Sequence, residues 1–169
     1  METKLRLAGV IRESIVDGPG WRLVVFVQGC PHHCEGCQNP QTHDFSGGYD
    51  SSVNNILNAV KANSLLAGVT LSGGEPFTQA KALAALAHEV HTMGLNVMAY
   101  SGWTFEQLYK GANDKNEWLE LLNEVDWLVD GKFELEKKSL SVKFRGSTNQ
   151  RIVDVKKSLA DGIIVQTEL

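Results

Sequence analysis

With 169 residues, 43% of them apolar and 21% charged, the chain is long enough to enclose one full hydrophobic core and has the composition of an ordinary globular domain. A net charge of -4 gives no electrostatic footprint for nucleic acid, whose binding usually needs clustered Lys and Arg to displace counterions. The longest apolar runs, Leu23 to Val27 and Ala82 to Ala87, are too short to cross a bilayer, and the opening METKLRLAGVIRES has no apolar stretch of signal-peptide length, so one cytoplasmic domain over residues 1–169 with no membrane or nucleic-acid partner is expected.

In chain order, Asp17-Gly18-Pro19-Gly20 reads as a turn without chemistry. Arg22 to Gln28 then holds the unbroken apolar run LVVFV, the pattern of a strand buried on both faces, and it stops at Gly29. From Ser52, a plausible N-cap, Val53, Ile56, Leu57 and Val60 fall at i, i+3, i+4 and i+7, which predicts an amphipathic helix with Gly68 beyond its end. Gly68 to Ser72 predicts a short strand, Gly73-Gly74-Glu75-Pro76 a turn, and Thr78 onward a second helix through Leu83, Leu86, Ala87 and Val90. The order recurs with Leu95 to Tyr100 as a strand and Thr104 to Gln107 as a capping box. Trp118 to Leu122 reads as helical and Val125 to Val129 as a strand, with Arg151 to Val155 and Gly162 to Gln166 as two further strands. Strands alternating with helices predict an α/β fold with a mostly parallel sheet and right-handed crossovers. About six strands are too few for a closed barrel of ~250 residues, so the expected architecture is an open, partial (β/α) barrel.

All three cysteines lie in Cys30-Pro-His-His-Cys34-Glu-Gly-Cys37, directly after the first buried strand. Thiols this close cannot staple distant parts of a chain as disulfides, so they read as metal ligands or redox thiols. A loop at the carboxyl end of a strand is where α/β sheets place ligands. Three thiolates there can bind three irons of a [4Fe-4S] cubane and leave the fourth open. The alternative is a structural zinc site completed by His32, His33 or His43. The C-x3-C-x2-C spacing resembles the signature of the radical S-adenosylmethionine superfamily, in which the amino and carboxylate groups of that cofactor occupy the open iron. A second segment, Ser72-Gly73-Gly74-Glu75-Pro76, looks like the motif that contacts the methionyl amino group in the same superfamily. Gly73 and Gly74 bare their backbone groups, and Glu75 offers an acceptor for an ammonium; the plain alternative is a turn. Tyr100-Ser101-Gly102 and Asp130-Gly131-Lys132-Phe133 end the next two strands. Asp130 is a candidate acceptor for ribose hydroxyls and Lys132 a candidate partner for the cofactor carboxylate, against the alternative of a solvated turn.

Taken together, VDGPGWRLVVFVQGCPHHCEGCQNP at 16–40, LSGGEP at 71–76, AYSGW at 99–103, LVDGKF at 128–133 and FRGSTNQR at 144–151 resemble the anaerobic (class III) ribonucleoside-triphosphate reductase activating enzymes. The resemblance implies a cytosolic enzyme that takes an electron from a flavodoxin-like donor, cleaves S-adenosyl-L-methionine to methionine and a 5′-deoxyadenosyl radical, and abstracts hydrogen from a glycine Cα of the reductase. It implies that Cys30, Cys34 and Cys37 bind the cluster, that Gly36, Cys37 and Gln38 lie against the adenosyl part, and that Gly74, with Gly73 and Glu75, holds the methionyl part. Where the superfamily often has an aromatic residue before the third cysteine this chain has Gly36, and where the family often has tyrosine after it the chain has Gln38. Little sequence is left for a lid, so the partner protein is expected to shield the radical from water. The competing readings are an activase of another glycyl-radical enzyme such as pyruvate formate-lyase, a radical enzyme acting on a small molecule, and a zinc-binding interaction module.

Overall fold

A computed structural model describes residues 3–169, which form one mixed sheet of seven strands in the order β3-β1-β2-β4-β5-β6-β7. The strands are β1 (Lys4–Ser14), β2 (Arg22–Val27), β3 (Tyr49–Ser52), β4 (Gly68–Gly73), β5 (Asn96–Ser101), β6 (Trp127–Asp130) and β7 (Arg151–Asp154). β2, β4, β5 and β6 run parallel, while β1, β3 and β7 pair antiparallel at the two sides. The helices are α1 (Val53–Lys61), α2 (Ala80–Thr92), α3 (Phe105–Gly111), α4 (Trp118–Glu124) and α5 (Val155–Asp161). Among the described residues no helix is long and apolar enough to cross a membrane.

Side-chain alternation divides the sheet into two unlike faces. Leu23, Val25, Val27, Val69, Leu71, Val97, Ala99, Leu128 and Val153 point one way and join Ile56, Leu57, Val60, Leu83, Leu86, Val90, Leu108, Leu121 and Leu122 of the helices in the main core. Each fully buried leucine there contributes roughly 1.5–3 kcal/mol of transfer free energy. The residues between them, among them Phe26, Ser72 and Tyr100, point to the other side, where Met98, Val129 and Ile152 make a small second cluster with Phe144 and Trp127. On that face Arg22 is wholly buried: its Nε donates to Thr70 Oγ1 at 2.7 Å and its Nη1 to Asn96 Oδ1 at 2.7 Å and the Pro19 carbonyl at 3.0 Å. Burial pushes its guanidinium down to about 10, partly offset by Tyr100 and Asp126.

The sheet has seven strands where about six were expected from the repeating units. β1 and β3 are the additions. Leu5 and Leu7 alternate as a half-buried strand should, but register shifts between Leu7 and Gly9 and between Ile11 and Ser14 break the pattern, and β3 is the polar tetrapeptide YDSS, held by pairing with β1. The strand expected at Arg151 to Val155 ends at Asp154 and is antiparallel, because the β6–β7 connection contains a single 3-10 turn (Leu135–Lys137) and no crossover helix. Gly162 to Gln166 is not a strand: Gly162 caps α5 in the left-handed conformation, and Gln166 makes one isolated bridge to Val153.

Candidate functional site

The carboxyl ends of β2, β4, β5 and β6 open onto a cleft of about 700 Å³ on the face away from the helices, and Cys30, Cys34 and Cys37 all line it. Their loop is closed at its root: the Gly29 N–H donates to the Thr42 carbonyl at 2.7 Å and the Cys30 N–H to the His43 carbonyl at 3.2 Å. Inside it, the Cys37 N–H donates to the Cys34 carbonyl at 3.2 Å, and the Asn39 N–H approaches Cys37 Sγ at 3.4 Å. Gly36 turns the chain at φ 72°, a conformation that strains an aromatic or any other side-chain-bearing residue before the third cysteine, and a Cβ there would also press on the tip of Leu135 at 2.7 Å. All three thiols are free. Burial raises the Cys30 and Cys34 thiols above their usual value, opposed by backbone N–H groups of His32 and His33 at Cys30 and of Phe133 at Cys34.

The loop after β4 lies directly against the cysteine loop. The Gly74 N–H donates to the Val27 carbonyl and the Glu75 N–H to the Gly29 carbonyl, both at 2.8 Å. A Cβ on Gly74 would stand 2.2 Å from the Gly29 oxygen, so glycine is what lets the two backbones meet, and Gly73 and Gly74 both line the cleft.

Glu75 is held by the protein itself. The side chain is fully buried and does not line the cleft; Oε1 accepts from Ser101 Oγ at 2.9 Å and the Gly102 N–H at 2.8 Å, and lies 2.7 Å from His32 Nε2, while Oε2 accepts from the Phe77 N–H at 3.1 Å. A carboxylate out of water needs such donors, and here the protein supplies four, so Glu75 joins three loops. His32 Nε2 is engaged by this carboxylate. Among the described residues no three His, Cys, Asp or Glu side chains gather closely enough to hold a single metal ion.

Asp130 is likewise turned inward. Only 1% exposed, it accepts from the Phe105 N–H at 2.7 Å and from Arg151 Nε at 3.0 Å, so both of its oxygens have protein partners. Arg151 is held above its usual range first by this bond and also by Glu106, against burial. Lys132 is exposed and outside the cleft lining; its carbonyl accepts from Asn149 Nδ2, and its charge weakly favours the Cys34 thiolate. Ser101 and Gln38 do line the cleft.

The fold adds residues to which the sequence reading assigns no individual role. Asp17, with Ile11 and Val16, reaches the cleft from the β1 side, although its segment reads as a bare turn. From the 133–150 segment come Phe133, Leu140, Val142, Phe144, Arg145 and Gln150. Phe144 is held in the left-handed region at φ 61° with its carbonyl accepting from the Tyr100 hydroxyl, whose acidity burial suppresses. No local spacing signals these contacts, since they depend on how two irregular segments fold over one face.

Residues 16–153 match the family described as a 4Fe-4S single cluster domain. The anaerobic ribonucleoside-triphosphate reductase-activating protein of Enterobacteria phage T4 is 34% identical over 147 residues, covering 82% of this chain and 87% of that one. The proteins of the same name from Vibrio cholerae serotype O1 and Pasteurella multocida are 34% and 35% identical over 147 and 150 residues, covering 82% of this chain in each case and 91% and 90% of theirs. Among solved structures, QueE from Escherichia coli superposes with a TM-score of 0.48 at 16% identity over 60% of this chain and 53% of that one. With its iron–sulfur domain spanning the cysteine loop and the strand ends around it, the chain belongs to the family of anaerobic ribonucleoside-triphosphate reductase-activating proteins.

Proposed function

We propose that this chain is an activating oxidoreductase that cleaves S-adenosyl-L-methionine reductively at a [4Fe-4S] cluster held by Cys30, Cys34 and Cys37, and so generates a glycyl radical on anaerobic ribonucleoside-triphosphate reductase. The observation that carries this reading is the meeting of three free thiols from one loop with the bared backbone of Gly73 and Gly74 in a single cleft. The donor set fits the group: three thiolates on one loop satisfy three irons, and the cleft leaves space beside them. When bound, such a cluster supplies an open iron site and an electron at low potential.

The chain's own residues position and shield. Gly73 and Gly74 offer C=O groups to the amino end of the cofactor; Cys37, Gln38 and Ser101 line the wall available to its adenosyl end, with Gly36 next to them in the chain. Lys132 adds positive charge at the rim. Glu75 and Asp130 act at one remove, by fixing the loops that carry these groups. Phe26, Phe133, Val142 and Phe144 exclude water from the interior, and the open sheet would wrap as a partial (β/α) barrel around it. At the mouth, Val16 and Leu140 are 72% and 95% exposed, an apolar rim suited to a protein substrate that closes the cleft. A flavodoxin-like protein in the cytoplasm would supply the electron.

The test is anaerobic reconstitution with iron and sulfide, then dithionite and S-adenosyl-L-methionine, then the reductase. Visible absorption, 5′-deoxyadenosine and a glycine-centred radical by electron paramagnetic resonance are the expected results. A colourless protein, or a coloured one that releases no 5′-deoxyadenosine, overturns the reading.

A further inference from the structure

His32 and Trp103 form a shared wall between two cavities. His32 lines the cysteine cleft; Trp103, whose ring meets it edge-on with centroids 4.6 Å apart, lines a second cavity of about 440 Å³ on the helix side of the sheet. Trp103 in turn lies 4.6 Å from Trp118, which floors that outer cavity with Phe77. The chain of rings is pinned at both ends, by Glu75 on His32 Nε2 and by the Phe77 carbonyl accepting from Trp118 Nε1 at 2.9 Å. Lys81 and Lys115 stand exposed at the rim against the single acid Glu117, an excess of positive charge in a chain whose net charge is -4.

Packed aromatic rings are ordinary core filling, and Trp103 and Trp118 do pack against the main core. Core filling does not account for an open cavity floored by those rings, rimmed with lysine and separated from the cysteine loop by one ring contact. We infer that this outer cavity is where the electron donor docks: a small acidic carrier protein that presents the edge of a reduced flavin to Trp118. The inference rests on the cluster site proposed above and assigns it a second entrance. The cleft mouth must be covered by the protein substrate during hydrogen abstraction, and a donor on the helix side can bind without competing for it. A flat aromatic edge suits the Trp118 floor, and the lysines steer an acidic partner. The electron balance is simple: the anionic hydroquinone loses one electron and no proton, and the cluster gains that electron, passing from its 2+ to its 1+ state. Trp118, Trp103 and His32 change redox state at no point; they are the dense, fixed medium through which the electron tunnels.

The test uses the cluster-loaded protein and a flavodoxin reduced to its hydroquinone, following the bleaching of cluster absorption by stopped flow. In the double variant Lys81→Glu/Lys115→Glu the rate should fall tenfold or more, on the order of the range that steering spans, and should lose the decline with added salt that the wild type shows. Reduction by dithionite, a small ion that needs no docking, should be unchanged in the same variant. Trp118→Leu should slow bleaching by the flavodoxin while titration calorimetry shows its affinity retained; should that variant fold poorly, the lysine variant still decides. Equal flavodoxin rates in wild type and lysine variant overturn the inference while leaving the proposed function standing. A wild type that takes no electron from dithionite defeats the proposed function, and the inference with it.

Discussion

The two faces of the sheet are built from alternate residues of the same strands, yet they differ in what fills them. On the helix face, Val69 and Leu71 of β4 and Val97 and Ala99 of β5 are buried among aliphatic side chains of α1, α2 and α4. On the opposite face the intervening Thr70, Ser72, Met98 and Tyr100 meet a buried arginine, a small apolar cluster and a cleft. One side is packed to hold the strands in place; the other is left open where their ends converge. A glycine-rich loop pressed against a loop of free thiols adds little to stability, so the frame that positions both has to come from the helix side.

The largest effect should come from Cys34→Ala. It removes one of three ligands on the open face, so iron content and visible absorption after reconstitution should be lost together with cofactor cleavage, while the cluster-free protein melts within a few degrees of wild type. Retained cleavage would break the ligand assignment. Leu86→Ala, at a site wholly buried on the helix face, should cost about 2–5 kcal/mol in denaturant unfolding. Ser72→Ala, on the cleft side of the neighbouring strand, should stay within about 0.5 kcal/mol. Equal costs for those two substitutions would erase the division of labour between the faces.

An intermediate effect is expected at Glu75, the residue that links the faces. Glu75→Gln keeps the shape but turns part of an acceptor into a donor facing the Gly102 N–H, and should lower stability by roughly 1–3 kcal/mol. With all three cysteines intact the cluster should still load, but S-adenosyl-L-methionine should bind more weakly because the Gly74 loop is no longer held. An unchanged melting temperature with weakened cofactor binding would instead place the Glu75 carboxylate on the cofactor.

Local signals in the sequence were enough for the elements that local chemistry defines. Ser52 caps α1 by accepting from the Asn55 N–H, Thr104 and Gln107 form the reciprocal capping box of α3, and the cysteine loop follows β2 as its apolar run indicates. What was not legible depends on partners far along the chain. A carboxylate in a glycine-rich loop looks the same in sequence whether it faces a ligand or the protein; His32 lies 43 residues from Glu75 and Arg151 lies 21 from Asp130, and those partners turn both acids inward. β3 has no apolar pattern to read, because it exists through its register with β1, from Lys4 opposite Ser52 to Leu7 opposite Tyr49.

The smallest effect is expected at the outer end of the Asp130–Arg151 pair, where Glu106 accepts from Arg151 and its carboxyl is held below the usual 4.5 by that bond, against slight burial. A carboxyl depressed by folding stabilises the native state above its unfolded value and loses that contribution as pH falls through the folded one. The difference in stability between wild type and Glu106→Gln should therefore be present at neutral pH and vanish under acid conditions well below 4.5. Its size should be on the order of a few tenths of a kcal/mol, since the Glu106 side chain is 58% exposed and screened by water. Added salt at neutral pH should shrink the difference as well, which separates this rim contact from the buried Asp130–Arg151 bond behind it. A difference that persists in acid would mean that Glu106 acts by packing and not by charge, and that β7 is held to α3 by something other than this ion pair.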